Sequence, residues 1–289
     1  MDTLLVVGRF CHYLAAMILF GSSATAGYLT WSLPLASREQ VMSRLQTVHR
    51  AAALSAMASA MVWLFAVAGG MGEGWVDAFD PVFVGKVLSN TSFGVVWLWR
   101  LVAGVTLVLL TIVGRRGGTL LALLSGLSLL SIALTGHAAM EDGTRALVYG
   151  SSDGIHLLAG AIWIGGLVTL ALALSTPEGG GAAIRRFSLL GYWAVLAVML
   201  SGVVNAWFLV GSPQYLITTT YGRLLAIKLI LVASMVGVAM LNRFRFAPRL
   251  ARDPDRIGHL LRTTVRIELV LALLVLLLVA VFGTLAPPA

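Results

Sequence analysis

The sequence predicts an all-α polytopic membrane protein with eight transmembrane helices. Of its 289 residues, 59% are hydrophobic and only 11% are charged, whereas about 25% of the residues of soluble globular proteins are charged. The charged residues lie between long apolar runs and do not recur with the period of an amphipathic surface helix. Charge this sparse cannot cover a water-soluble body of this size, so the composition excludes a soluble fold.

Eight apolar runs reach the length of about 20 residues that a membrane-spanning helix requires. In chain order they cover residues 4–33, 51–71, 93–113, 119–139, 154–173, 187–210, 221–241 and 267–285. No Lys or Arg precedes the first run, which is too long for the core of a signal peptide, so we interpret it as an uncleaved helix. The connections are too short for a soluble domain, and the chain is predicted to form one transmembrane domain, 1–289.

The cationic residues are divided unevenly between the two sides of the membrane. Fourteen of the 20 Lys and Arg residues lie in connections 1–2, 3–4, 5–6 and 7–8, namely Arg38, Arg44, Arg50, Arg115, Arg116, Arg185, Arg186, Arg243, Arg245, Arg249, Arg252, Arg256, Arg262 and Arg266. The other connections and the first residues hold only Arg9, Lys86, Arg145 and Arg223. Because cytoplasmic loops carry the excess of Lys and Arg, both termini are predicted to face outward, into the periplasm if the host is a Gram-negative bacterium. The net charge of +8 then reflects topology and gives no reason to predict nucleic-acid binding.

Two internal matches indicate a duplicated unit of four helices. Residues 12–21 match residues 156–165 through the pattern H-x-L-A-x-x-I-x-x-G, and residues 92–101 match residues 220–229. An even number of crossings makes the two units parallel repeats, related by an axis along the membrane normal. The predicted repeats are residues 1–145 and 146–289. The glycines in the matches are expected to be packing residues that bring helices close together.

Three histidines are predicted to lie in the outer third of the membrane, where helices 1 and 5 begin and helix 4 ends. Met140 follows His137 by three residues, and Asp153 precedes His156 by three, so each pair shares a helical face. Imidazole combined with thioether or thiolate ligands suits copper. The predicted metal ligands are His12, His137, His156, Met140 and Asp153, with Cys11, Met71 and Glu141 as weaker candidates. By contrast, His49 and His259 are expected to be solvated or at lipid headgroups, in Arg-rich connections.

Two cations are predicted to lie inside the bilayer at matching places in the two repeats. Arg100 and Lys228 each lie well inside their helix, where a charge is costly and needs a partner. The sequence leaves three partners open for them: a bound anion, a haem propionate, or backbone carbonyl groups near residues 89–92.

Several stretches of the chain are similar to the copper resistance protein D (CopD) family of inner-membrane proteins. They are H-L-L-A-G-A-I-W-I-G-G at 156–166, R-F-S at 186–188, S-G-V-V-N at 201–205, T-Y-G-R-L-L-A-I-K-L at 220–229 and N-R at 242–243. By position, the resemblance marks His156, Asn205, Tyr221 and Lys228 as site residues, and the internal repeat adds His12 and Arg100. The resemblance implies movement of copper across the inner membrane, often with a periplasmic copper-binding partner of the CopC type.

Three functions remain open from the sequence. The first is a copper transporter that accepts periplasmic copper at His12, His137 and His156 and passes it between the two halves. The second is a membrane oxidoreductase in which two histidines ligate a b-type haem, since no CxxCH motif for covalent haem attachment is present. The third is a scaffold or chaperone receptor with acidic outer loops, and a homo-oligomer is compatible with each of the three. A binding or transport function is favoured over an enzyme.

Overall fold

Helices make up the whole of the regular structure that we describe. The computed structural model describes residues 1–114, 118–136, 141–176 and 180–286, and contains no β-strand within them. Its helices are α1 (Asp2–Thr30), α2 (Leu35–Met71), α3 (Trp75–Ala78), α4 (Pro81–Asn90), α5 (Ser92–Val113), α6 (Thr119–Leu130), α7 (Gly143–Ala173), α8 (Gly180–Val210), α9 (Tyr215–Thr218), α10 (Thr220–Leu241) and α11 (Pro254–Phe282). A π-helical turn (Asn242–Phe246) directly continues α10.

Among the described residues, seven helices are long and apolar enough to cross a membrane: α1, α2, α5, α7, α8, α10 and α11. Large apolar side chains on their outer faces are exposed, for example Trp99, Val203 and Ile230. Lipid is the solvent that suits such surfaces, because exposed apolar patches of this extent are rare on soluble proteins. These observations confirm the prediction of an all-α polytopic membrane protein.

The fourth predicted span differs from the other seven. Helix α6 ends at Leu130, and a 3-10 turn (Ala133–Thr135) follows it, so this apolar segment is shorter than a full span. The hydroxyl group of Ser131 donates to the carbonyl group of Ser128 at 2.6 Å, a local bond that competes with the helical ladder. Residues 137–140, with the candidate ligands His137 and Met140, lie outside the described residues.

Two helices extend far into the Arg-rich connections. Helix α2 begins at Leu35 rather than at residue 51, and α11 begins at Pro254 rather than at residue 267. Arginine is a good helix former, and its long stem covers apolar surface while its charge stays in water. At α11, Pro254 occupies the first turn and the carboxylate of Asp253 accepts from the backbone N–H of Arg256 at 3.3 Å.

The extension of α2 overturns the expectation that His49 is solvated. Its side chain is only 2% exposed, and its Nε2 atom lies 2.9 Å from the hydroxyl oxygen of Ser22 on α1. His49 is therefore a packing residue of the α1–α2 contact. His259, by contrast, lies on the exposed side of α11.

Helices α1 and α7 cross at two glycines in the centre of the bundle. A Cβ atom on Gly21 would overlap the backbone carbonyl of Ala161, and one on Gly165 would overlap the backbone of Ser22. One turn further along both helices, the hydroxyl oxygens of Thr25 and Thr169 lie 3.5 Å apart. Because equivalent residues meet in the same order, the two helices run parallel. The glycines are packing residues, as expected from their small size.

Substitution of Gly21 with Ala is expected to destabilise the protein by about 1–3 kcal/mol, because the added methyl group must push apart two backbones. A lowered midpoint of thermal denaturation in detergent would reveal the loss. Gly27→Ala is the matched control, since a Cβ atom at Gly27 of the same helix meets nothing within 4 Å. Equal midpoints for the two variants would contradict this account of the crossing.

The first turns of α1 and the end of α11 lie at the same end of the bundle. The guanidinium group of Arg9 donates from Nη1 to the carbonyl oxygen of Gly283 at 2.6 Å, and from Nη2 to the hydroxyl group of Tyr13 at 3.1 Å. We call this end, which carries few arginines, the Arg-poor end. The opposite end, with the extensions of α2 and α11, is the Arg-rich end.

Candidate functional site

The side chain of His12 is enclosed by α1, α2 and α5. It is 3% exposed and packs against the rings of Trp63 and Trp97, with centroids 5.8 and 6.0 Å away. Its Nδ1 atom lies 3.0 Å from the carbonyl oxygen of Ala56, which can only accept, so Nδ1 carries the proton. The Nε2 atom then accepts from Nη1 of Arg100 at 3.1 Å. Both ring nitrogens of His12 are therefore occupied.

Arg100 is buried to 3% exposure, and no carboxylate of the described residues pairs with it. Besides His12, its guanidinium group donates from Nη2 to the hydroxyl group of Ser131 at 2.7 Å and lies 4.6 Å from the ring centroid of Trp97. These contacts include none of the three partners that the sequence left open, namely a bound anion, a haem propionate and the backbone carbonyl groups near residues 89–92. A neutral imidazole, a hydroxyl group and an aromatic face replace water around the charge. The hydroxyl oxygen of Ser59 on α2 also lies 3.2 Å from Nδ1 of His12, and we call His12, Ser59, Trp97, Arg100 and Ser131 the His12 cluster.

The second predicted histidine, His156, lies between α7 and α8. The hydroxyl group of Ser201 donates to the carbonyl oxygen of Ala197 at 2.5 Å, so its oxygen accepts from Nδ1 of His156 at 3.0 Å. The carbonyl group of Val198 also interacts with the ring. The proton on Nδ1 leaves Nε2 as the nitrogen with a free lone pair, and no hydrogen bond joins it to any residue that the structure describes.

A carboxylate, an amide and an ammonium group surround His156. One turn before His156 on α7, Oδ1 of Asp153 accepts from Nδ2 of Asn205 on α8 at 3.3 Å. The ammonium group of Lys228 on α10 acts electrostatically on both Asp153 and His156, and lies 5.6 Å from the ring centroid of Phe282. We call Asp153, His156, Ser201, Asn205 and Lys228 the His156 cluster.

The two clusters have similar parts arranged on corresponding helices. Each histidine presents Nδ1 towards a serine hydroxyl group of the next long helix, Ser59 at 3.2 Å or Ser201 at 3.0 Å. Each also has a cation nearby from a later helix, but only Arg100 hydrogen-bonds to its histidine. The lysine of the second cluster leaves Nε2 of His156 uncovered. The two histidines therefore have different chemistry despite their matching positions.

The remaining sequence candidates lie apart from these clusters. Cys11 is a partly exposed free thiol beside His12, and Met71 is 54% exposed at the far end of α2. Glu141 accepts from Nε of Arg145 at 2.8 Å, and this bond lowers the pKa of Glu141. Tyr221 is buried and packs edge-on against Phe282.

Within the described residues, no group of three His, Cys, Asp or Glu side chains is placed to hold a metal ion. His12 and His156 hydrogen-bond to different helices rather than to a common centre. Of the two, His156 has an imidazole nitrogen that can take a ligand without breaking a hydrogen bond.

The sequence did not single out the residues that orient the histidines. Ser201 lies four residues before Asn205 and therefore on the same face of α8, a spacing that could have identified it. Ser59 and Trp97 had no comparable marker, because many serines and tryptophans occur in the apolar runs. Their roles depend on contacts between distant parts of the chain.

The fold and the two clusters define a polytopic α-helical membrane protein with polar sites inside its helical bundle. Two family models match the chain: "Copper resistance protein D-like, N-terminal domain" over residues 1–147 and "Copper resistance protein D" over residues 181–282. The chain belongs to the copper resistance protein D family, as its sequence resemblance indicated.

Curated relatives agree with this assignment. The chain is 35% identical to "Inner membrane protein YebZ" of Escherichia coli (strain K12), over 96% of this chain and 97% of the relative. It is 32% identical to "Copper resistance protein D" of Pseudomonas syringae pv. tomato, over 99% and 97%. It is also 32% identical to "Copper transport protein CutJ" of Bacillus subtilis (strain 168), over 75% of this chain but 41% of that relative. No solved structure matches. These relatives and the apolar helices identify a multi-pass inner-membrane protein with a copper-related role.

Proposed function

We propose that the protein binds copper at the His156 cluster and transports it across the bacterial inner membrane in copper homeostasis or resistance. The observation that carries this proposal is the Nε2 atom of His156, whose lone pair has no hydrogen-bond partner among the described residues. Neutral imidazole is a good copper ligand. Relatives named for copper resistance and copper transport support copper as the transported ion.

The His156 cluster supplies few ligands of its own, which suits transient binding. Asp153 offers a carboxylate one turn from His156, and Asn205 orients that carboxylate through its amide. His137 and Met140 stay candidate ligands from the segment after α6. A periplasmic copper chaperone of the CopC type would complete the coordination while it hands over the ion.

Within this proposal, His12 has a structural role. A copper ion at Nε2 of His12 would have to displace Arg100, which would then lose its acceptor inside the bundle. The same geometry gives no support to a b-type haem with two histidine ligands, since His12 lacks an open nitrogen. The relatives found also carry no haem-related name.

We further propose that the Arg-poor end faces the periplasm and that the chain crosses the membrane eight times as two four-helix repeats, 1–145 and 146–289. The contact between Arg9 and Gly283 supports an even number of crossings, because it joins the two ends of the chain. Helix α6 with its 3-10 turn then supplies the short fourth crossing. The parallel α1–α7 pair supports the repeat.

Copper uptake into proteoliposomes tests the proposed function. Vesicles with the wild-type protein should accumulate copper faster than protein-free vesicles, and His156→Ala should remove most of the difference. His259→Ala, which changes an exposed histidine of α11, is the control and should leave uptake unchanged. Uptake that His156→Ala does not alter would contradict the proposal. A visible haem spectrum from the purified protein would contradict copper as the species that His156 binds.

A further inference from the structure

A third buried polar group lies on α11 towards the Arg-rich end. Glu268 is 1% exposed, and its Oε1 atom accepts from Nδ2 of Asn242 at 2.8 Å. Asn242 begins the π-helical turn after α10, and its Oδ1 atom accepts from the hydroxyl group of Thr264 at 2.6 Å. The indole N–H of Trp163 on α7 is a second donor to the same carboxyl group. No hydrogen bond from the described residues reaches the buried Oε2 atom.

No positive charge compensates this carboxyl group. Within the part of the chain that the structure describes, no Lys, Arg or His nitrogen lies within 4.0 Å of Glu268. An ionised carboxylate that has neutral donors but no countercharge is costly to bury, so a proton or another cation on this group would stabilise it in the bundle. The open Oε2 atom is the place for that cation.

The ionisable side chains of the neighbouring elements point elsewhere or lie at other depths. On α1, the half towards the Arg-rich end offers only Tyr28, whose ring packs against Arg186. On α10, the ionisable residues Tyr221, Arg223 and Lys228 lie near the Arg-poor end, and α7 has none after His156.

The arginines close to Glu268 in sequence or on the adjoining turn have other surroundings. The π-helical turn adds Arg243, which donates to the carbonyl group of Ser188, and Arg245, which lines a surface cavity. On α11 itself, Arg266 lies about 160° around the helix from Glu268.

The surroundings of Glu268 favour a proton over a metal ion. A magnesium or calcium ion takes about six or more oxygen ligands, and copper prefers nitrogen and sulfur. Here the amide of Asn242 is already bonded to both Glu268 and Thr264. Among the described residues, this leaves the Oε2 atom of Glu268 as the one free oxygen at the site. A single free oxygen is enough for a proton.

We propose that Glu268 is a proton-binding site, and that it takes up and releases a proton as copper moves through the protein. Trp163 and His156 are seven residues apart on α7, so they share one face of this helix about 10 Å apart along its axis. That face connects the His156 cluster with Glu268. The π-helical turn at Asn242 is a rare local geometry, often found at functional sites, and it holds the amide against the carboxyl group. The proton site rests on the contacts of Glu268, whereas its coupling to copper rests on the proposed transport function.

Infrared spectroscopy of the reconstituted, copper-free protein tests the proton site directly. The wild-type protein should show the C=O stretching band of a protonated carboxylic acid, shifted in heavy water, and Glu268→Gln should remove it. Glu39→Gln makes the same change at an exposed carboxylate of α2 and should leave the band in place. A band that persists in Glu268→Gln would overturn the proton site. Glu268→Asp keeps the carboxyl group and should retain a C=O band of a protonated acid. It replaces Glu268→Gln in this experiment if the Gln variant fails to fold.

Copper uptake under an imposed pH gradient tests the coupling. Wild-type uptake should change several-fold when the gradient is reversed, whereas Glu268→Gln should bind copper normally and show no response to the gradient. An unchanged response in Glu268→Gln would overturn the coupling. If the infrared band depends on Glu268 but the wild-type protein takes up no copper, the proton site stands and the proposed transport function fails.

Discussion

Substitution of His12 with Leu is expected to lower the free energy of unfolding by about 2–4 kcal/mol, although the two side chains have similar size. The change removes the acceptor of Arg100, which is 3% exposed, and one donor to the partly buried Ala56 carbonyl group, which keeps the hydroxyl group of Ser59. A buried polar group that loses its partner costs about 1–3 kcal/mol, and more if it is charged. Equilibrium unfolding in bicelles or mixed micelles measures the loss.

A double-mutant cycle separates the His12–Arg100 interaction from the loss of packing. Arg100→Met replaces the cation with a shorter, flexible apolar side chain, so the double variant His12→Leu/Arg100→Met no longer buries an unpartnered guanidinium group. The double variant should therefore be more stable than the sum of the single losses by about 1–3 kcal/mol. His49→Leu is the control, since His49 is equally buried but bonds to Ser22. Its loss should add to that of Arg100→Met, and additivity for His12 as well would contradict the pairing.

The class of fold followed from composition and apolar run length, because the bilayer imposes both on any helical membrane protein. The ends of the helices could not be predicted from composition and apolar run length. Arginine both marks the cytoplasmic side and forms helices well, so the Arg-rich connection before α2 could not be distinguished from a helical extension. At the early end of α6, the hydroxyl group of Ser131 donates to the carbonyl group of Ser128, a contact that no apolar pattern predicts.

The histidines could be found from the sequence because polar groups are rare in the apolar runs and because the repeat matched His12 with His156. The difference between them could not be found in this way. It depends on whether the nearby cation, Arg100 on α5 or Lys228 on α10, reaches the imidazole ring, which Arg100 does at 3.1 Å. Position in a repeat indicates which residues meet, whereas side-chain length and donor geometry decide whether a nitrogen stays open.

Glu268 shows a second limit of sequence reasoning. Its depth near the Arg-rich end was evident from its place in the last apolar run, and Asn242 was part of the stretch that resembled the family. Their hydrogen bond joins residues 26 positions apart through a π-helical turn. No periodic pattern predicts such a turn, since it inserts one extra residue into the helical ladder.

Substitution of His156 with Ala is expected to weaken copper binding by at least about 100-fold, because loss of a direct ligand should exceed the 10–100-fold cost of losing the group that orients it. A competition titration with a chromophoric copper chelator measures the change. Lys228→Met keeps every proposed ligand and removes a positive charge near the ion, so it should not weaken binding. If His156→Ala bound copper as tightly as the wild-type protein, the His156 cluster would not be the copper site.

The serines provide the sharpest comparison between the two clusters. Ser201→Ala should weaken copper binding about tenfold, because the carbonyl group of Val198 retains part of the orientation of His156. Ser59→Ala makes the same change beside His12 and should leave the affinity unchanged, since His12 has no open nitrogen. Ser201→Thr keeps the hydroxyl group and should restore most of the affinity, which a purely steric role would not explain. Equal effects of Ser59→Ala and Ser201→Ala would mean that both histidines bind copper, and that the contact between Arg100 and His12 opens when the ion arrives.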